Sequence, residues 1–167
     1  MTIGIFYSTT SGTTLAAAKQ ISEQLKPLES KLHDIANVPT SRLTDFDTLV
    51  FGAPTMGLGE LSDEWESWIK TITEAHVAGK KLALFGLGDQ EGYDDSFVDA
   101  LGIIYDHIVD LGANVVGKWP TDGYTYDESK AERDGKFVGL VIDDDTQAEL
   151  TDTRISRWVE DLKKIFT

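Results

Sequence analysis

Two kinds of hydrophobic spacing alternate along the chain. Short apolar or β-branched runs occur at 2–7 (TIGIFY), 31–35 (KLHDI), 48–53 (TLVFGA), 80–86 (KKLALFG) and 113–119 (ANVVGKW), several of them apolar on both faces. Runs of this length and composition predict strands. Between them, apolar residues recur at three- and four-residue steps: Leu15, Ala18, Ile21 and Leu25; Trp65, Trp68, Ile69 and Ile72; Phe97, Leu101, Ile104, Ile108 and Leu111; and, at the end, Ile155, Val159, Leu162 and Phe166. Each set lines one face of a helix. A helix start is marked by Ser62 ahead of Asp63-Glu64, and a stop by Gly112 after Leu111.

Strand and helix therefore alternate. Parallel neighbours need crossover connections, and these are overwhelmingly right-handed, so the pattern predicts an α/β fold: a doubly wound, five-stranded parallel sheet with helices on both faces. One stretch breaks the rhythm. After Trp119 comes PTDGYTYDESKAERDGK (120–136), rich in turn formers and charge, followed by a further strand-like run, FVGLVI (137–142). The expectation is an excursion that splits the last strand. There are no internal repeats and no low-complexity tails.

Composition narrows the class. With 167 residues the chain fits one domain spanning 1–167. The formal net charge of −14 repels nucleic acid and anionic membranes. The acidic residues are scattered except at Asp143-Asp144-Asp145, and they read as a solvated surface. The absence of cysteine excludes disulfides, thiolate catalysis and cysteine-ligated metals. His33, His76 and His107 lie on different elements without metal-ligand spacing, so no metal site is expected. No leader-like segment and no apolar run of about 18 residues occurs, which leads to the expectation of a soluble, cytoplasmic protein.

In an open α/β sheet, ligands bind outside the carboxyl ends of the strands. The first such loop is STTSGTT (8–14), where six of seven residues carry hydroxyls. A helix N-terminus offers free amide donors and the positive end of the dipole, and hydroxyls add donors without charge, so this loop suits a phosphate. Capping the helix that begins near Thr13 would need only one such residue. No lysine follows Gly12, which argues against a triphosphate loop, and no G-x-G-x-x-G occurs, which disfavours a dinucleotide. A terminal monophosphate remains. The loops after strands 3 and 4, PTMGLGEL (54–61) and LGDQEGYDD (87–95), place Met56 and Tyr93 beside glycines, so the backbone can approach a flat ring whose faces those two side chains cover.

Over nearly its whole length the chain resembles the long-chain flavodoxins. GIFYSTTSGTT (4–14) resembles their FMN phosphate loop, FGAPTMGLGEL (51–61) the loop after strand 3, and FGLGDQEGY (85–93) the loop after strand 4. The segment from VGKWPTDGYTYDESKA onward resembles the split fifth strand and final helix of that subclass. The resemblance implies strand order 2-1-3-4-5 with FMN at the switch between strands 1 and 3, an arrangement for which flavodoxin is the reference case. It assigns the phosphate to Thr9, Thr10, Ser11, Gly12, Thr13 and Thr14, and the remaining cofactor contacts to Pro54, Thr55, Met56, Gly57, Leu58, Gly59, Leu87, Gly88, Asp89, Tyr93 and Asp145. Tyr93 would stack on one face of the isoalloxazine. Met56 stands where many members carry tryptophan, which implies weaker FMN binding or a more accessible flavin face. Thr13 replaces a frequent lysine or asparagine and leaves the phosphate loop uncharged. Ser11 replaces the usual threonine and keeps the hydroxyl. The Gly57–Leu58 peptide corresponds to the one whose carbonyl turns toward flavin N5 on reduction, and Asp89 with Asp94-Asp95 would oppose negative charge on the flavin.

The implied function is a low-potential one-electron carrier with non-covalent FMN and no substrate of its own. Implied donors are ferredoxin/flavodoxin–NADP reductase or pyruvate oxidoreductase; implied acceptors are ferredoxin-type, nitrogenase among them; the implied state is a monomer. Two rivals share the architecture. A phosphoacceptor receiver domain would need acidic residues where Tyr7-Ser8 and Ala53-Pro54 stand. An FMN-dependent NAD(P)H quinone or azo reductase would use a similar site and turn over NAD(P)H unaided.

Overall fold

A computed structural model describes residues 1–167. In chain order the elements are β1 Thr2–Tyr7, α1 Thr13–Leu25, β2 Glu29–Asp34, β3 Thr48–Pro54, α2 Asp63–Ile69, a single-turn α3 Glu74–Val77, β4 Lys81–Leu87, α4 Asp99–Asp110, β5 Asn114–Val116, β6 Trp119–Pro120, β7 Glu132–Arg133, β8 Lys136–Phe137, β9 Leu140–Ile142 and α5 Thr151–Phe166. Short 3-10 turns occupy Thr40–Asp45 and Ala148–Leu150. The main sheet is parallel in the order β2-β1-β3-β4-β5, with β9 also on β4. β1 and β3 are almost wholly buried because their residues are apolar on both faces. β2 is the edge and keeps polar residues, Glu29 and Ser30, paired with Thr2 and Ile3. Its start thus lies two residues before the apolar pattern begins.

The last strand position is shared by two segments. β5 pairs with the first half of β4 (Lys81↔Asn114 to Ala83↔Val116) and β9 with the second half (Phe85↔Leu140 to Leu87↔Ile142). The intervening residues form a small antiparallel sheet in the order β6-β8-β7. The run 137–142 is itself divided, because Phe137 belongs to the small sheet, where it packs on Phe97, Tyr124 and Tyr126. α4 starts at Asp99, two residues after its apolar periodicity begins; Phe97 and Val98 belong to the turn before it, with Val98 held at φ 47.

α1 and α5 pack together over one face of the sheet, and α2 and α4 cover the other. A single cluster of 42 buried residues fills the interior. Trp65 and Trp68 lie in it, against Phe51 and Phe6, as their helical spacing predicts. Ser62 caps α2 by accepting the Trp65 N–H, and Gly112 at φ 90 ends α4. No helix is long and apolar enough to cross a membrane.

Candidate functional site

The loops that leave β1, β3, β4 and β9 converge on a cleft of about 330 Å³, lined by residues of 10–13, 54–56, 87–93 and 144–145. It lies between the carboxyl ends of β1 and β3, where the chain reverses its direction of winding. A depression of about 340 Å³ beside Thr2, Ser22 and Lys26 lies at the opposite end of the sheet, and none of its lining residues carries a buried polar atom without a partner.

The first loop is not spent on capping its helix. Gly12, at φ 89, occupies the N-cap of α1, and no side chain caps the helix. The Thr9 hydroxyl accepts the Gly12 N–H at 2.9 Å, and the Ser11 and Thr13 hydroxyls lie 3.2 Å apart. Ser8 points away and pairs with Ser62 at 2.9 Å. The N–H groups of Thr13, Thr14 and Leu15 meet no acceptor within the chain, and the Thr14 hydroxyl is buried without a partner. No lysine or arginine lines the cleft.

Across the cleft, residues 56–60 form a tight turn. Met56 donates its N–H to Glu60 O at 2.8 Å, and its carbonyl accepts from Gly59 at 3.1 Å and Glu60 at 2.7 Å. Gly57 sits at φ 48, a conformation glycine adopts at little cost. Neither Gly57 nor Leu58 uses a backbone group in a hydrogen bond, and Leu58 is 77% exposed at the tip. Gly59 packs against Asp99 and Ser96. Met56 is half-buried, with its sulfur 3.9 Å from the Thr10 hydroxyl, and Thr55 carries a second buried hydroxyl with no partner. In the loop after β4, Asp89 Oδ1 accepts the N–H groups of Glu91 (3.0 Å) and Gly92 (2.8 Å), and Tyr93, 43% exposed, donates its N–H to Asp89 O at 3.0 Å. The turn is thereby closed on itself.

Three carboxylates enter the cleft: Asp89, Asp144 and Asp145. Partial burial pushes the Asp145 pKa up, and Asp89, Asp143 and Asp144 add to the rise. The site thus pairs neutral donors at one end with negative charge at the other. Unpaired hydroxyls and helix amides suit an anion, and a thioether and a phenol suit a ring.

The sequence model of the flavodoxin family matches residues 5–158. The chain belongs to the flavodoxin family. It is 47% identical over 165 residues to the flavodoxin of a Picosynechococcus strain, covering 98% of this chain and 97% of that protein. The flavodoxin of Klebsiella pneumoniae is 45% identical over 159 residues, covering 95% and 90%. Among solved structures, the flavodoxin of Fusobacterium nucleatum bound to flavin mononucleotide superposes with a TM-score of 0.93 at 36% identity over 99% of each chain. Flavodoxins are electron carriers and not enzymes, so the reductase alternative falls away.

Against that family frame, the cleft gathers most of the residues expected from the sequence. Thr10, Ser11, Thr13, Pro54, Thr55, Met56, Leu87, Gly88, Asp89, Tyr93 and Asp145 line it. Thr9 and Gly12 lie in the first loop and Thr14 in the first turn of α1, none of them lining the cleft; Gly57, Leu58 and Gly59 form the turn at its rim. Asp94 and Asp95 stay outside: the Asp94 carbonyl accepts the N–H groups of Asp127 and Glu128, and Asp95 borders a separate depression with Glu128. Asp144 lines the cleft and had no sequence signal beyond its place next to Asp145. Within the acidic run 143–145, Asp144 and Asp145 are exposed as a solvated face would be, whereas Asp143 is fully buried.

Proposed function

We propose that the cleft holds FMN and that the chain shuttles single electrons between redox partners. The observation that carries this reading is the neutral cradle beside the ring-covering residues, with the Thr55 hydroxyl on the cleft wall and the Thr14 hydroxyl next to the lining residue Thr13 each buried and lacking a partner inside the chain. An unmade hydrogen bond of this kind costs a folded protein about 1–3 kcal/mol, and a ligand that supplies the partner recovers it. The phosphate is assigned to Thr9, Thr10, Ser11, Gly12, Thr13 and Thr14, which bind through hydroxyls, free amides and the α1 dipole without a cation.

The ring is assigned to Pro54, Thr55, Met56, Leu87, Gly88, Asp89, Tyr93 and Asp145. FMN, when bound, supplies two successive one-electron steps. Tyr93 and Met56 cover the ring and limit water at its faces, and Met56 leaves more of its face open than a tryptophan would. The Gly57–Leu58 peptide, free of partners, is able to turn its carbonyl toward the ring edge, and Gly59 leaves no room for a Cβ, which would stand 2.8 Å from Asp99 Oδ2. The cleft carboxylates disfavour added negative charge and so lower the potential: at about 10 Å and an effective dielectric of about 40, each opposes an electron by roughly 0.8 kcal/mol, or about 35 mV.

Residues 1–167 act in this reading as one FMN-binding domain of the long-chain subclass, with 120–136 as its insertion, working as a monomer in the cytoplasm. Ferredoxin/flavodoxin–NADP reductase or pyruvate oxidoreductase would reduce it, and ferredoxin-type acceptors, nitrogenase among them, would oxidise it. The test is the absorption spectrum of the purified protein, with and without added FMN, followed through a dithionite titration. Flavin bands in one-to-one ratio that bleach in two separated stages are expected, with no bleaching by NAD(P)H alone. A protein that retains no flavin after incubation with FMN would overturn the assignment.

A further inference from the structure

Asp143 closes β9 and is fully buried, yet none of its hydrogen-bond partners is a cation. Its Oδ2 accepts the backbone N–H of Gln90 at 3.0 Å, the side-chain amide of Gln90 at 2.7 Å and the Thr146 hydroxyl at 2.6 Å. Its Oδ1 accepts the N–H groups of Asp145 at 3.1 Å and Thr146 at 2.9 Å. Burial by itself would raise its pKa; the bonds donated by Thr146 and Gln90 outweigh that and hold the carboxyl below its ordinary value. It is a carboxylate in the folded chain, and five neutral donors satisfy it.

What these donors belong to gives Asp143 a role beyond stability. Gln90 follows Asp89, whose carbonyl closes the Tyr93 turn, so one wall of the cleft hangs from it. Asp145 is on the facing wall. β4 and β9 pair only as far as Leu87 and Ile142, with one further bond from Gly88 N–H to Ile142 O at 3.1 Å. Beyond that point the Asp143 carboxylate joins the two walls. Gln90, itself buried, extends the link to the insertion by accepting the Thr125 N–H at 2.6 Å.

We propose that Asp143 is a positioning residue for the ring end of the site: its carboxylate latches Gln90 and Thr146 and so sets the gap between the Tyr93 turn and Asp144-Asp145. This inference rests on the cleft being the FMN site. A carboxylate that accepts several bonds tolerates no donor in its place, so Asp143→Asn keeps the volume while turning an amide against groups that are all donors.

The test combines a flavin-free measurement with a binding one. In the flavin-free Asp143→Asn variant, the Gln90, Asp145 and Thr146 amides should exchange with solvent at least about tenfold faster than in the unaltered chain, while β1 and β3 amides keep their protection. The dissociation constants of FMN and of riboflavin, measured by flavin fluorescence quenching, should both rise by about tenfold to a hundredfold, the equivalent of losing hydrogen bonds to a charged group. Riboflavin lacks the phosphate, so an equal factor for both ligands locates the loss at the ring. Gln90→Met removes the side-chain bonds of Gln90 to Asp143, Thr146 and Thr125 and leaves the carboxylate with its four other donors; it should shift both constants the same way by a smaller factor and serves as the test should Asp143→Asn fail to fold. Unchanged exchange at the three amides, unchanged affinities, or a loss confined to FMN would each overturn the role of Asp143. An unaltered protein that binds neither ligand would instead bring down the reading of the cleft, and this role with it.

Discussion

Thr14 presents a buried hydroxyl without a partner inside the chain, which makes its removal informative in sign. Thr14→Val keeps the shape and discards the unpaired group. The flavin-free protein should therefore gain stability, by up to about 1–2 kcal/mol in urea unfolding, while FMN affinity falls about tenfold. A variant that loses both would mean that the hydroxyl is satisfied from inside the fold. His33 is a residue of the opposite kind. It stacks on Phe6 with centroids 4.9 Å apart, and its Nε2 is buried without a partner. Burial lowers its pKa, Arg42 and Lys31 lower it further, and Asp45 opposes them. The unfolded chain therefore takes up the proton first, near pH 6.5, and stability fully present above that pH is lost as pH falls through the folded value. Relative to His33→Phe, the urea midpoint of the unaltered chain should be constant above about pH 7.5 and should decline between about pH 7 and pH 5. A constant difference across that range would mean that His33 titrates alike in both states.

At the scale of elements, the insertion is a fitted part rather than a loose loop. Gly102 of α4 faces it so closely that a Cβ would stand 2.3 Å from the Lys130 carbonyl oxygen, and Lys130 in turn donates its N–H to buried Asp99 at 2.7 Å. Gly102→Ala poses helix propensity, worth roughly 0.5–1 kcal/mol in favour of alanine, against a backbone clash that costs about 1–3 kcal/mol. The clash should win, with a lower urea midpoint and faster amide exchange at 127–131 as the measured signs; a stabilised variant would mean that the insertion rides free of α4. The central strands and helix faces were legible in the sequence because each buries a continuous or periodic apolar surface that no other element could hide. That the hydroxyl-rich loop 8–14 and Tyr93 meet at one cleft was legible because both follow strands at the carboxyl edge of the sheet. The small sheet β6-β8-β7 was not, since its two-residue strands carry no period, and its cohesion comes from Phe97, Tyr124, Tyr126 and Phe137 meeting in space. Asp143 was hidden for a related reason: its donors at Gln90 and Thr146 come together only once β4 and β9 are paired, and in sequence it is one acid in a run of three.

For the molecule as a whole, the charge is polarised along the strands. No lysine or arginine occurs in 43–69, 82–117 or 137–153, the stretches that supply the cleft loops after β3, β4 and β9. Five of the cations lie at the other end: Lys26 and Lys31 flank the start of β2, and Lys81 at the start of β4 donates to the Ile165 carbonyl near the end of α5, beside Lys163 and Lys164. A net charge of −14 arranged in this way turns the cleft toward any cationic partner at long range, since field lines from several carboxylates add outside the protein. Salt removes that reach, because the Debye length falls from about 30 Å at 10 mM to about 3 Å at 1 M. Electron exchange between the FMN-loaded protein and a dicationic viologen should therefore slow by about tenfold or more across that range, exchange with an anionic complex such as ferricyanide should accelerate, and exchange with an uncharged quinone should barely change. Stopped-flow traces at graded ionic strength read all three. Because the asymmetry lies in the cleft loops, Asp144→Asn should reduce the salt slope for the viologen, whereas Glu29→Gln at the far end should leave it near that of the unaltered chain. Equal slopes for the two variants would mean that net charge alone, and not its placement around the cleft, governs the encounter.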